Sequence, residues 1–318
     1  MTEPIHLEAQ TRLSRSVDLD VGNGTLTIDE LRFRLSGSDV IISKTDPISI
    51  DSQIIDAAPA LKLIARHGSG YSNVDVDYAT KKGIVVTNTP GANAVSVAEF
   101  ALGLIFMAAR KMPQAMTACG LGNPDRLSYL GMELQGKVFG IVGVGRIGRE
   151  VVKRVHALGM KVLAHHPRPS AKELADLPLE LVDLGTLLNR SDVISLHVPL
   201  TPETRNLIGQ DEIALMKRTA ILINLSRGGV VVERALYEAL ASNRMRAAAT
   251  DVLENEPVSA DDPLLRLENC IVTPHIASVT EEAQRAVAFA AVEEVLRFAR
   301  GEPLLHVVNP SALGLAHG

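Results

Sequence analysis

Three segments of this 318-residue chain end a short apolar run in a residue that can do chemistry. Ala220–Asn224 is followed by Leu225-Ser226-Arg227-Gly228-Gly229, and Ala247–Asp251 by Val252-Leu253-Glu254-Asn255-Glu256-Pro257. Cys270–Thr273 is followed by Pro274-His275-Ile276-Ala277. In an open α/β sheet, ligands bind beyond the carboxyl ends of the strands. An arginine, a carboxylate and a histidine would therefore reach one rim from three successive strands. Taken singly, each has a plainer reading: a solvated arginine, a glutamate decorating a turn before proline, a structural histidine. Together they suit hydride and proton transfer at C2 of a 2-hydroxy acid. His275 titrates near neutral pH and can exchange the hydroxyl proton. Glu256, bonded to the other ring nitrogen, would fix the tautomer and raise the histidine pKa. Arg227 offers a planar fork for a carboxylate and can polarise the C2 oxygen. Catalysis is thus assigned to Arg227, Glu256 and His275, the first and last also touching substrate.

Upstream lies a glycine-rich loop, Gly143, Gly145 and Gly148, after an apolar run Val138–Val142 and before a helical pattern, Arg149–Leu158. One glycine permits a tight turn, one lets a pyrophosphate approach the backbone, and one packs helix against strand. The helix N-terminus, with Arg146 and Ile147 at its mouth, adds N–H groups aimed at an anion. A lone glycine motif is weak, but here strand, loop, helix and second strand stand in order, which points to a dinucleotide. The second strand ends at His165-His166-Pro167-Arg168. A site for NAD usually places an acidic residue here, roughly 20 residues on, to hold the ribose hydroxyl. His166 lies 18 residues beyond Gly148 instead. With no repelling carboxylate and with Arg168 able to pair a 2′-phosphate, NADP(H) is favoured over NAD(H). Adjacent strand residues face opposite ways, so the His165/His166 pair makes a poor metal chelate, and no metal site is expected.

These groups need elements to carry them. Asp39–Ser43, Leu61–Ala65 and Gly83–Thr87 read as three strands covered on both faces. Ala94–Met112 reads as a long helix, apolar nearly all round and hence buried. Lys161–His165 and Val193–His197 join Val138–Val142 and the three carboxyl-end strands above, making six in a second α/β series. Six is the count of a full Rossmann sheet. Glu281–Arg300 reads as a final amphipathic helix. The start is odd: a helix-like Leu7–Leu13 stands where a first strand is expected, so either Val17–Val21 supplies a strand or one is missing.

Composition narrows the class. The chain is 46% hydrophobic and 22% charged with a net charge of −5, a globular balance that does not favour nucleic acid or an anionic membrane. Its longest apolar run, Phe100–Ala109, is half the roughly 20 residues of a bilayer span. Two cysteines, Cys119 and Cys270, suit a reducing cytoplasm, and the N-terminus lacks the basic-then-apolar pattern of a secretion signal.

From about Asp39 to Pro310, the chain resembles the D-isomer-specific 2-hydroxyacid dehydrogenase family. The segments that carry the likeness are Gly143–Gly148, Asn224-Leu-Ser-Arg-Gly-Gly229, Asp251-Val-Leu-Glu-Asn-Glu-Pro257 and Thr273-Pro-His-Ile-Ala277. The resemblance implies an α/β fold of two doubly wound parallel-sheet domains. A Rossmann cofactor domain (93–275) would be inserted into a flavodoxin-like substrate domain (1–92 and 276–318). It implies an oxidoreductase on a small 2-oxo or 2-hydroxy acid such as glyoxylate or hydroxypyruvate, working as a homodimer. It places Asp251 near the nicotinamide carboxamide, and His197, Val198, Pro199 and Thr204 along the adenine and pyrophosphate flank. Ser69 and Gly70 become the loop whose N–H groups meet the substrate carboxylate, with Asn93 or Val97 flanking the cofactor. Two other readings stand beside it: D-3-phosphoglycerate dehydrogenase, for which Lys44 could meet the phosphate, and a dinucleotide-sensing corepressor-like protein.

Overall fold

The computed structural model describes residues 1–24, 27–44, 49–122, 125–166 and 174–314. The chain divides into two compact units, Met1–Asn93 with Val279–Gly318, and Ala94–Ser278.

The first unit holds α1 (Leu7–Ser14), α2 (Ile28–Leu35), β1 (Val40–Ser43), α3 (Ser52–Asp56), β2 (Leu63–Arg66), α4 (Val76–Lys81) and β3 (Val85–Thr87). The three strands form a parallel sheet in the order β1-β2-β3. Two helices here start on oxygen side chains: Thr27 and Glu30 form a reciprocal cap on α2, and Asp51 accepts the Gln53 and Ile54 N–H groups at the start of α3. Ile42, Leu63, Ala65 and Val85 point to one face with Leu13 and with Ala288, Val292 and Val295 of the late helix. Ile41, Ile64 and Val86 point to the other with Leu31, Leu35, Ile54 and Ile55. Both faces are buried, which is why these strands read as unbroken apolar runs.

All three strands begin later than the sequence suggests, β2 and β3 by two residues. Leu61 N–H closes a turn on Ala58, and Gly83, at φ +72°, ends α4. Among the described residues no strand precedes Val40, and Val17–Val21 is not one. Thr2 N–H bonds the Ile42 carbonyl, and Val17, Leu19, Val40 and Ile42 line a cavity of about 700 Å³.

The second unit holds α5 (Ala94–Ala109), α6 (Met112–Gly120), β4 (Val138–Val142), α7 (Arg146–Ala157), β5 (Lys161–His165), β6 (Glu180–Leu181), α8 (Leu184–Arg190), β7 (Val193–Leu196), α9 (Gln210–Leu215), β8 (Ile221–Asn224), α10 (Glu233–Ala241), β9 (Ala247–Thr250) and β10 (Cys270–Val272). α11 (Glu281–Ala299) returns to the first unit. Seven parallel strands run in the order β10-β9-β8-β7-β4-β5-β6, so the strand order reverses between β4 and β7. Phe139, Ile141, Val193, Ile221 and Ala249 face α5 and α7, while Leu163, Ile194, Leu196 and Leu222 face the other side with Leu187, Ile213 and Leu236. The seventh strand, β6, is absent from the sequence reading because it is two exposed residues paired to Leu163 and Ala164. The expected helix Ala94–Met112 ends early, at Ala109, and a second helix that the sequence reading does not contain begins at Met112: Lys111 stands at φ +50°, and Pro113 in the next turn favours a new start. Among the described residues no helix is long and apolar enough to cross a membrane.

Candidate active site

The turns after β8, β9 and β10 deliver Arg227, Glu256 and His275 to the carboxyl end of the large sheet. Asn224, the last residue of β8, builds the first turn. Its Oδ1 accepts the Ser226 N–H and hydroxyl at 3.1 and 2.6 Å. The Arg227 guanidinium donates to the Ser226 carbonyl at 2.6 Å and pairs with no carboxylate among the described residues. Behind it, a Cβ on Gly228 would lie 1.9 Å from the Leu253 carbonyl, so only glycine lets the first and second turns pack this closely. In the second turn, Glu256 Oε1 accepts the Leu253 N–H at 3.1 Å. Its Oε2 meets His275 Nδ1 at 2.6 Å.

The charges agree with this arrangement. The His275 pKa is raised above the usual 6.5, first by the Glu256 hydrogen bond, against burial and the Arg227 charge. Burial pushes Glu256 upward, but the bond and charge of His275, the Leu253 N–H and Arg227 together hold it below its ordinary value. Arg227 thus acts on both partners, and the three groups share one electrostatic neighbourhood.

Asp251, at the end of β9, is 2% exposed. Its carboxylate accepts hydrogen bonds from the Thr273 hydroxyl and the Ile276 and Ala277 N–H groups at 2.6, 2.9 and 2.8 Å. The sequence assigns no role of their own to Asn224, Thr273 or the Leu253 amide. A short polar residue just before a turn is the only signal they carry.

The glycine loop leaves β4 at the reversal of strand order. The Gly143 carbonyl lies 2.3 Å from where a Cβ on Gly148 would stand, so any side chain there would push α7 off the sheet. Gly145 and Arg146 are exposed, and nothing lies within 4 Å of a Cβ on Gly145. No side chain caps α7, and Ile147 is half-buried at its mouth. An open backbone face beside an uncapped helix N-terminus fits a dinucleotide pyrophosphate. His166 accepts the Val144 N–H on Nδ1 at 3.4 Å, and Arg168 lies outside the described residues.

Across the reversal, His197 Nε2 meets Ser195 Oγ at 2.8 Å. Burial lowers the His197 pKa to about 4, so its ring is neutral. Val198 is buried and Pro199 exposed. The Thr204 hydroxyl donates to the Pro199 carbonyl at 2.6 Å and accepts the Thr201 N–H, which closes that turn. Val97 is buried in the core beside α7.

In the first unit, Ser69 Oγ bonds the Thr89 carbonyl and Asn93 Oδ1 at 3.2 and 3.1 Å. Asn88 Nδ2 donates to the Ser69 carbonyl at 2.7 Å. The N–H groups of Ser69 and Gly70 bond nothing among the described residues. Burial first, then Lys44 and Arg66, lower the pKa of neighbouring His67 to about 4. Lys44 is engaged with Glu3 at 3.4 Å and the Pro4 carbonyl at 3.0 Å. Ser43 is fully buried.

A parallel sheet whose reversal carries a glycine loop, and whose outer strand ends carry Arg, Glu and His, defines a dinucleotide-binding α/β protein with an acid/base rim. Residues 102–277 match the family model for the NAD binding domain of D-isomer specific 2-hydroxyacid dehydrogenases, and the chain belongs to that family. It is 44% identical over 310 residues to a D-3-phosphoglycerate dehydrogenase of Methanocaldococcus jannaschii, covering 97% of this chain and 59% of that one. The chain thus spans less than two thirds of that relative. It is 43% identical over 299 residues to a hydroxypyruvate reductase of Thermotoga maritima, covering 93% of this chain and 96% of that one. The TT0316 protein of Thermus thermophilus superposes with a TM-score of 0.89 at 36% identity, covering 96% and 98% of the two chains.

Proposed function

We propose that the chain is an NAD(P)-dependent 2-hydroxyacid dehydrogenase that reduces a small 2-oxo acid of the glyoxylate or hydroxypyruvate kind. The observation that carries this reading is the 2.6 Å contact of His275 Nδ1 with Glu256, beside an arginine that no carboxylate among the described residues neutralises. With Glu256 as acceptor, Nδ1 holds its hydrogen and Nε2 is the nitrogen that exchanges protons. In reduction, Arg227 grips the substrate carboxylate with two parallel N–H bonds and stabilises negative charge growing on the C2 oxygen. A nicotinamide bound at the glycine loop would supply the hydride. Protonated His275 donates to the C2 oxygen, and Glu256 keeps the ring oriented and charged until it does. Oxidation runs these steps backward, with neutral His275 as base. Ser69 and Gly70 offer their N–H groups to the substrate carboxylate.

The dinucleotide is held by Gly143, Gly145, Arg146, Ile147 and Gly148, with His197, Val198, Pro199 and Thr204 shaping the opposite wall. NADP(H) is the preferred form. What supports this is a histidine, His166, and not a carboxylate at the end of β5, so that a 2′-phosphate would meet no negative charge from it. Lys44 is already engaged with Glu3 and Pro4, which supports an unphosphorylated substrate over 3-phosphoglycerate. A homodimer is the working form. Met116, Leu121, Leu127 and Leu130 are 72 to 84% exposed in the second unit and need cover. Both cysteines are free, in keeping with a reducing cytoplasm.

The test is a matrix of glyoxylate, hydroxypyruvate and 3-phosphohydroxypyruvate against NADH and NADPH, followed by cofactor absorbance. Turnover of the unphosphorylated acids is expected, fastest with NADPH. Turnover confined to the phosphorylated acid would replace the substrate assignment. Cofactor binding with no turnover of any acid would favour a sensor.

A further inference from the structure

We propose that Asp251 is a positioning residue that sets the proton-exchanging imidazole of His275 in place and registers it against the Arg227 turn. The proposal rests on the dehydrogenase reading for what His275 does, but not for where it is held.

His275 stands at φ +55°, a left-handed backbone that residues with a Cβ rarely adopt. Such a conformation persists only where the surroundings over-determine it. Here one carboxylate does so from both sides. Ahead of His275, the Thr273 hydroxyl donates to Asp251 Oδ1 at 2.6 Å. Behind it, the Ile276 and Ala277 N–H groups donate to Oδ1 and Oδ2 at 2.9 and 2.8 Å. The His275 N–H closes on the Thr273 carbonyl at 3.1 Å, completing a turn wrapped around the anion. Two consecutive N–H groups meeting two oxygens of one planar carboxylate leave the turn little rotational freedom.

The same residue reaches the other side of the site. The Asp251 N–H donates to the Asn224 carbonyl at 3.1 Å, and the Asn224 side chain builds the turn that presents Arg227. Asp251 therefore stands between the strand ends that carry Arg227 and His275. Buried at 2% exposure, its charge is used inside the protein, where it also favours the imidazolium. Arg227 opposes that effect and Glu256 adds to it. The resemblance assigns this residue to the nicotinamide carboxamide. Three bonds to the His275 turn make the turn its principal partner, and one further lone pair is all the carboxylate retains for anything else.

The test compares Asp251→Asn, Asp251→Ala and Thr273→Val in the full chain. Asp251→Asn turns one oxygen into a donor facing an N–H, so it breaks the grip at constant volume. A loss of about 100-fold in kcat is expected, the scale of a 1 Å misplacement. NADPH affinity, read by its fluorescence, should stay within about threefold. The pH at which reduction fails should move down. Thr273→Val, which removes one of the three bonds and spares the carboxylate, should lose about fivefold in kcat and keeps the test open if Asp251→Ala does not fold. A proton NMR readout stands apart from turnover: the downfield His275 Nδ1 proton should broaden or vanish in Asp251→Asn. If the wild type reduces no 2-oxo acid, the dehydrogenase reading fails, and that resonance still decides the positioning role. An intact His275 resonance with cofactor affinity weakened tenfold or more would make Asp251 a cofactor contact and overturn the proposal. So would an unchanged kcat and pH profile.

Discussion

His275 Nδ1 and Glu256 Oε2 lie 2.6 Å apart although 19 residues separate them along the chain. The contact exists because β9 and β10 are parallel neighbours whose ends project from the same edge. A carboxylate facing Nδ1 settles the neutral tautomer and leaves Nε2 as the working nitrogen.

This pair sets a pH dependence whose sign is determined. His275 is raised above 6.5 chiefly by Glu256, so the proton donor for reduction is lost only as pH climbs through that raised value. Reduction should therefore hold through neutral pH and fall on the alkaline side, while oxidation rises there. Glu256→Gln removes the main cause, so the break should move toward or below 6.5, as a pH profile of kcat/KM would reveal. Stability follows the same linkage. The His275 contribution is complete below pH 6.5 and is lost as pH rises through the raised value. The Glu256 contribution is complete above its ordinary 4.5 and is lost as pH falls through the lowered value. Thermal melts of wild type and His275→Ala should diverge most between these limits.

Arg227→Lys keeps the charge and removes the fork. Bonds to an ionised group are worth about 1.5–3 kcal/mol, so losing one of two should raise KM for the 2-oxo acid about 10- to 100-fold. The melting temperature should hardly move, because the wild-type side chain pairs with no carboxylate among the described residues. Unchanged saturation by substrate would remove Arg227 from its role as carboxylate anchor.

The parts of the fold legible beforehand are those that sequence period encodes. Strands such as Ile221–Asn224, buried on both faces, leave unbroken apolar runs, and the residues after them lie at a strand end by construction. That is why the sequence alone puts Arg227, Glu256 and His275 on one edge. The rest depends on contacts that no local pattern carries. β6 exists because Glu180 meets Leu163, and neither residue advertises the pairing. The break between α5 and α6 turns on the left-handed backbone of Lys111, which the charged pair Arg110-Lys111 does not announce. The grip of Asp251 on the His275 turn joins residues 22 to 26 apart, and a lone aspartate at a strand end does not say what it will hold.

Gly148→Ala should test the cofactor loop by sterics alone. Its Cβ would stand 2.3 Å from the Gly143 carbonyl, a backbone atom that cannot swing aside. Overpacking of this kind costs about 1–3 kcal/mol, and relief requires α7 to slide away from β4. Melting temperature and dinucleotide affinity should fall together, with KM for the 2-oxo acid little changed at saturating cofactor. Full cofactor affinity in a stable variant would detach the dinucleotide from this loop.

His166→Asp addresses cofactor choice directly. The wild-type ring accepts the Val144 N–H through Nδ1 at 3.4 Å, and a carboxylate can take over that acceptor role, so the loop should keep its shape. What changes is the sign of the group at the end of β5. A carboxylate there accepts the hydroxyls of an unphosphorylated ribose and repels a 2′-phosphate. Like charges a few ångströms apart near a protein surface oppose each other by about 4 kcal/mol before solvent and side-chain relaxation, so a tenfold or larger loss of kcat/KM with NADPH is expected. NADH should gain or hold. If the variant keeps its NADPH preference, selectivity does not come from the charge at this position, and the case for NADP(H) drawn from His166 fails with it.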